Sequence, residues 1–174
     1  MSAAIDAYRF NDAANAAYRF VWSVFCDWYL ELVKPLLQGA DGAEKDETRA
    51  TAAFVLDQIY ALLHPFMPFI TEELWAIKGA EGPKRETLLA LAGWPSLDGL
   101  EDAAAENEIG WVVDLVSEIR SLRAEMALTS ETELVLIGAD AALQARAQRW
   151  DETLRKLARL SRIGFADVAP AASA

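Results

Sequence analysis

"FCDWYLELVK", residues 25–34, places Phe25, Trp28 and Tyr29 at three- and four-residue steps beside the chain's one cysteine, Cys26. That spacing belongs to one face of a helix. The same period runs outward through Ala14, Tyr18, Val21, Trp22, Leu32, Val33 and Leu36, so the stretch predicts a long amphipathic helix with a broad buried stripe. Two readings of its aromatic surface compete: a core-facing stripe, or a platform on which nucleic-acid bases stack. Aromatic rings on the helical period pack in cores, so the core reading is preferred for Phe25, Trp28 and Tyr29.

Downstream, "QGADGAEKDE" (38–47) has two glycines and no apolar period and reads as a loop. A second helix is expected from about residue 47, with Val55, Leu56, Ile59, Leu62 and Leu63 in register. It meets "HPFMPF" (64–69), where Pro65 and Pro68 oppose continuation and Pro68 suits the first position of a new helix closed by Gly79. Residues 80–98 look irregular, and residues 101–126 read as a third long helix through Val112, Val116, Ile119, Leu122 and Met126. The texture then changes to strand ("TELVLIG", 132–138), helix (140–160) and strand ("RIGFADV", 162–168), a unit expected to pair in parallel. The expected fold is mainly α: a helical bundle over 1–128, then a small β-α-β appendage over 129–174 that ends in a frayed tail. Upstream, residues 3–8 read as a helix end and Asn11 as the N-cap of the next helix.

Composition narrows the function classes. The 174 residues carry 16 basic and 27 acidic side chains, a net charge of −11, which argues against non-specific coating of nucleic acid. A single local face can still meet RNA. Charge is uneven: residues 141–162 hold six basic side chains against two acidic ones. No apolar run reaches the roughly 20 residues that span a bilayer. The N-terminus lacks the pattern of a secretion signal. One cysteine fits a reducing, cytoplasmic setting. The one histidine, His64, has no partner at metal-ligand spacing and reads as structural; no metal site is expected. There is no Gly-rich phosphate loop and no nucleophilic triad, and the adjacent Glu72 and Glu73 point apart on a helix.

The segments "YRFNDAANAAYRFVWSVFCDWYLELVKPLL", "HPFMPFITEELW", "WP" and "EIRSLRAEM", in this order, resemble the anticodon-binding domain of the valyl-tRNA synthetases, within class I of the aminoacyl-tRNA synthetases. The resemblance covers residues 3–126 and continues more weakly to the end. The "HPF-PF-TEELW" pattern is shared by the related isoleucine, leucine and methionine enzymes, whereas "FCDWYLE" points to valine. The resemblance implies a helical bundle that docks the anticodon arm of valine tRNA as a monomer. The whole enzyme would join valine to tRNA with ATP and Mg²⁺. The HIGH and KMSKS motifs of its catalytic domain are absent from this chain, so an excised piece without aminoacylation or editing activity, and without a cofactor of its own, is expected. The sequence departs from the family after "RAEM": "ALTSETELVL" replaces a proline-containing turn.

Candidate tRNA contacts are polar residues at helix ends and exposed faces. Arg9 and Asn11 sit at a helix junction, where such a family meets anticodon bases. Arg19, Arg120 and Arg123 have no acidic residue three or four positions away and are open to a phosphate or to a distant carboxylate. Two other readings stand beside this one: an acidic helical module for protein–protein interaction, and the same domain from an isoleucyl- or leucyl-tRNA synthetase.

Overall fold

A computed structural model describes residues 1–168. Contacts divide the chain into two compact units, one over Met1–Leu100 and one beginning at Glu101. The second unit therefore starts upstream of the 128/129 boundary expected from sequence, because the third long helix packs on the β-α-β segment.

The first unit is helical. It holds α1 (Ser2–Asp6), α2 (Phe10–Arg19), a π-helical stretch (Phe20–Tyr29), α3 (Leu30–Gln38), α4 (Ala43–Leu63) and α5 (Pro68–Glu81), followed by a 3₁₀ turn at Leu89–Leu91. Ala13, Ala17, Phe25, Ile59 and Leu89 form its buried centre. Phe25 stacks on Tyr29 with ring centroids 5.4 Å apart, and Trp28 is half-buried, as expected of a core stripe. The stripe does not run back along α2 as the period predicts. Tyr18 and Trp22 are 61% and 57% exposed and stack on each other, while the small residues Ala13 and Ala17 face inward. The physical reason is the π-helical stretch: bonds reaching five residues back widen the turn, so a 3.6-residue period stops tracking one face.

The HPFMPF turn is tied by side chains. Thr71 is buried and donates its hydroxyl to the Met67 carbonyl at 2.9 Å, so it accepts from His64 Nδ1 at 2.8 Å. The Glu72 carboxylate accepts from the backbone N–H groups of Leu89 (2.7 Å) and Ala90 (3.2 Å), which holds the 3₁₀ turn against α5. His64 thus has the structural role expected of it, and Pro68 stands at the start of α5. Gly79 does not end that helix; α5 runs two residues further and is followed by Gly82. Gly79 instead makes room: a Cβ there would lie 2.4 Å from Arg85 Cγ. Arg85 crosses this gap, sits 3.8 Å above the Trp75 ring and pairs with Asp57 at 2.7 and 3.0 Å.

The second unit holds α6 (Ala103–Glu125), β1 (Thr132–Ile137), α7 (Ala141–Arg149), α8 (Asp151–Ala158) and β2 (Leu160–Ala166). β1 and β2 pair in parallel, as expected, with Leu134 opposite Ile163 and Leu136 opposite Phe165. The expected single helix over 140–160 is broken at Trp150, whose indole N–H donates to Glu108 at 2.9 Å. Glu108 also pairs with Arg146 (2.8 Å) and Arg149 (2.9 Å). Part of the local basic excess is therefore neutralised by one carboxylate on α6. Val112, Val116 and Ile119 of α6 are buried as predicted, but Leu122 and Met126 are exposed and Arg123 is buried in their place. The tail beyond Val168 lies outside the described residues. No helix among the described residues is long and apolar enough to cross a membrane.

Candidate nucleic-acid interface

α1 ends in a compact cap. The N–H of Arg9 donates to the Ala4 carbonyl at 2.8 Å, and the N–H of Tyr8 donates to the Ile5 carbonyl at 2.9 Å. This pair of bonds is a Schellman closure, which requires a left-handed residue just past the helix. Glycine normally supplies it; here it is Tyr8, at φ 56°. A side chain in that conformation costs about 1 kcal/mol. The two bonds offset that cost, but the ring adds little packing: among the described residues it is 82% exposed, with its ring contact on the edge of Phe10 at 6.3 Å between centroids. Strained backbone positions of this kind cluster at functional sites.

Arg9 follows directly and is the residue before α2. Its guanidinium lies 3.4 Å from Asp12, and both side chains are largely solvated, so the pair is weak and exchangeable. Asn11 is not the N-cap expected from sequence. α2 begins two residues earlier than such a cap would place it, at Phe10, and Asn11 stands inside its first turn with its amide on Asp12 at 3.1 Å. The Schellman closure of α1 already orients Phe10, so the helix starts without a side-chain cap.

The structure brings together only two of the five candidate residues. Arg9 and Asn11 share the α1–α2 junction. Arg19 is exposed on the same helix without a partner among the described residues, about 15 Å further along the axis at the rise of an α-helix. Arg120 and Arg123 belong to the other unit. Arg120 donates from Nε to the Leu157 carbonyl at 3.0 Å. Arg123 is only 9% exposed, and its guanidinium donates to Thr132 Oγ1 (2.9 Å) and to the carbonyls of Ser130 (2.7 Å), Leu128 (3.3 Å) and Arg159 (3.4 Å). These bonds hold the helix-to-strand junction, where Ala127 adopts φ 51° and closes α6 with a second Schellman pair. Where this sequence departs from the family's proline-containing turn, an internal arginine clamps the loop.

Sequence reasoning missed Tyr8 and the aromatic residues beside it. A signal existed: "DAYRFN" ends one helix and starts the next with no glycine between them. An aromatic side chain then had to occupy the left-handed position.

The sequence profile of the family described as "Anticodon-binding domain of tRNA ligase" matches residues 1–137. Among curated relatives, the valine–tRNA ligase of Mesorhizobium japonicum is 55% identical over 172 residues, 98% of this chain and 18% of the relative. The valine–tRNA ligase of Rhodopseudomonas palustris is 50% identical over 202 residues, 96% of this chain and 21% of the relative. That of Agrobacterium fabrum is 52% identical over 176 residues, 100% of this chain and 18% of the relative. The chain thus spans about a fifth of the length of these relatives. With a profile match over most of its length and a helical unit closed by an exposed aromatic–arginine junction, the chain belongs to the anticodon-binding domain family of the tRNA ligases.

Proposed function

We propose that this chain is the anticodon-arm recognition module of a valine–tRNA ligase. In that reading the longer enzyme attaches valine to tRNA using ATP and Mg²⁺ at sites outside this chain. This chain positions the tRNA and performs no chemistry. Support comes from about 50% identity to valine–tRNA ligases over nearly the whole chain. The single structural observation that carries the reading is the Tyr8 turn, where an exposed ring is held at a backbone cost beside Arg9 and Asn11. Single-stranded RNA loops are read by stacking on aromatic rings and by hydrogen bonds to base edges, with phosphates setting register. Tyr8 and Phe10 supply the rings, Asn11 an amide with both donor and acceptor, and Arg9 and Arg19 the phosphate contacts. Arg120 contributes from the second unit, and Arg123 acts by holding that unit's loop. In this reading one monomer serves one tRNA, in the cytoplasmic setting that a single cysteine favours.

The test is binding of the chain to a valine tRNA transcript at low salt, compared with the same tRNA carrying an exchanged anticodon. Tighter binding to the native anticodon is expected. Arg9→Ala and Arg19→Ala should each weaken it and lower the slope of log K against log salt by about 0.7, the value for one single-strand phosphate contact. Equal affinity for both anticodons would refute a direct reader.

A further inference from the structure

The fold holds arginine in one recurring way. Arg85 lies 3.8 Å above the Trp75 ring while its guanidinium pairs with Asp57 at 2.7 and 3.0 Å. Arg146 lies 5.5 Å above the Trp111 ring and pairs with Glu108 at 2.8 Å. In both, an indole face and a carboxylate share one planar cation. Another tryptophan and carboxylate, Trp94 and Asp6, line a groove of about 360 Å³ in the first unit, with Phe66 as a further aromatic wall. The Trp94 indole N–H donates to Ser2 Oγ at 3.0 Å, which anchors the ring. Asp6 is exposed and has no hydrogen-bond or ionic partner among the described residues. No basic side chain among the described residues lines the groove.

This combination fits a guanidinium. An anion would meet the Asp6 charge with no cation in the walls to offset it. An aliphatic side chain would cover the carboxylate without bonding it. An ammonium would satisfy Asp6 but presents no flat face to the indole. The chain's net charge of −11 also favours a cationic occupant. We propose that this groove is a docking site for an arginine side chain, stacked on Trp94 and paired with Asp6, carried by a segment of the ligase polypeptide outside this chain. The chain spans about a fifth of the length of its relatives, so most of such an enzyme lies beyond these residues and can supply the arginine. The source of the arginine rests on the ligase reading above; the groove's preference for a guanidinium does not.

The test labels the tryptophans with fluorotryptophan and assigns the Trp94 fluorine signal by its loss in Trp94→Phe. N-acetyl-arginine amide is titrated into the chain, with the neutral isostere N-acetyl-citrulline amide as control. Only the arginine compound is expected to move the Trp94 signal saturably. Asp6→Asn should weaken that binding about fivefold, the upper end for a partly exposed ion pair. Asp6 is exposed, so the variant should keep its unfolding midpoint, which is measured alongside. In the longer ligase the Trp94 signal should already sit at its shifted position and ignore the added compound, because the ligase's own arginine is in place. Asp6→Asn in the ligase should move it back. Equal effects of the arginine and citrulline compounds, or no effect of either, would overturn the guanidinium site. A ligase whose Trp94 signal still follows the free compound as the chain alone does would show that no ligase segment docks there. Valine tRNA that displaces the arginine compound from the chain would give the groove to RNA and equally overturn the proposal. Attachment of valine by the longer ligase is read in parallel. If it succeeds while Trp94 stays silent, the docking site falls and the anticodon-arm reading stands; if it fails, that reading falls whatever Trp94 reports.

Discussion

The backbone N–H of Arg9 donates to the Ala4 carbonyl at 2.8 Å and, with the Tyr8 N–H on Ile5, closes α1 over Tyr8 in the left-handed region. The turn's geometry wants glycine and its surface displays tyrosine. Tyr8→Gly should therefore separate stability from function. Unfolding is expected to be unchanged or shifted to higher stability by up to about 1 kcal/mol, since glycine adopts this conformation without the side-chain penalty. Affinity for valine tRNA should fall severalfold. A variant that lost stability and binding in proportion would show that the ring is structural.

Arg123 makes the opposite prediction. Its removal strands carbonyl groups that now share one buried guanidinium. Arg123→Ala should cost about 2–4 kcal/mol in urea unfolding, with Arg123→Lys recovering only part, because an ammonium cannot reproduce the planar fork. The variant's folded fraction should retain anticodon preference.

Gly79 and Gly110 both lie inside helices, yet alanine should act on them with opposite sign. At Gly110 an added Cβ meets nothing within 4 Å, so helix propensity alone should stabilise by up to about 1 kcal/mol. At Gly79 the same atom would lie 2.4 Å from Arg85 Cγ, near the root of that side chain. Displacing Arg85 from Trp75 and Asp57 should outweigh the propensity gain and leave Gly79→Ala destabilised by about 1–2 kcal/mol. Thermal unfolding of the two variants side by side decides the point.

Glu108 gives the second unit a pH dependence. The Trp150 indole N–H, then Arg146 and Arg149, hold its carboxyl below the ordinary 4.5, against the opposing effect of burial. A folded-state pKa below the unfolded one stabilises the fold above the unfolded pKa. That contribution is lost as pH falls through the folded value. Glu108→Gln should therefore be less stable than the parent at pH 7, and the gap should narrow as the pH is lowered through 4.5 and below. A gap of constant size from pH 7 to pH 3 would show that the charge is irrelevant.

Much of this molecule is legible without its structure, and the boundary of that legibility is physical. Pro68 starts a helix because its ring removes a donor that a first-turn residue does not use. "TELVLIG" and "RIGFADV" pair in parallel because a helix-length connection between two strands leaves few other arrangements. Val112, Val116 and Ile119 are buried because one face of α6 is apolar. Periodicity, punctuation and the order of the family's motifs are local properties, and one dimension carries them in full. Where side chains compete for the same position, only the tertiary structure decided. The π-helical stretch turned Tyr18 and Trp22 outward although they lie on the apolar period. Arg123 went inward, with no acidic residue three or four positions away, because carbonyls of the 128–130 loop and of Arg159 converge on it. Arg146, without a local partner, found Glu108 on another helix. Tyr8 became an exposed, strained ring because two backbone bonds closed α1 around it, and such bonds are set by where the chain goes next rather than by the residue that must bend.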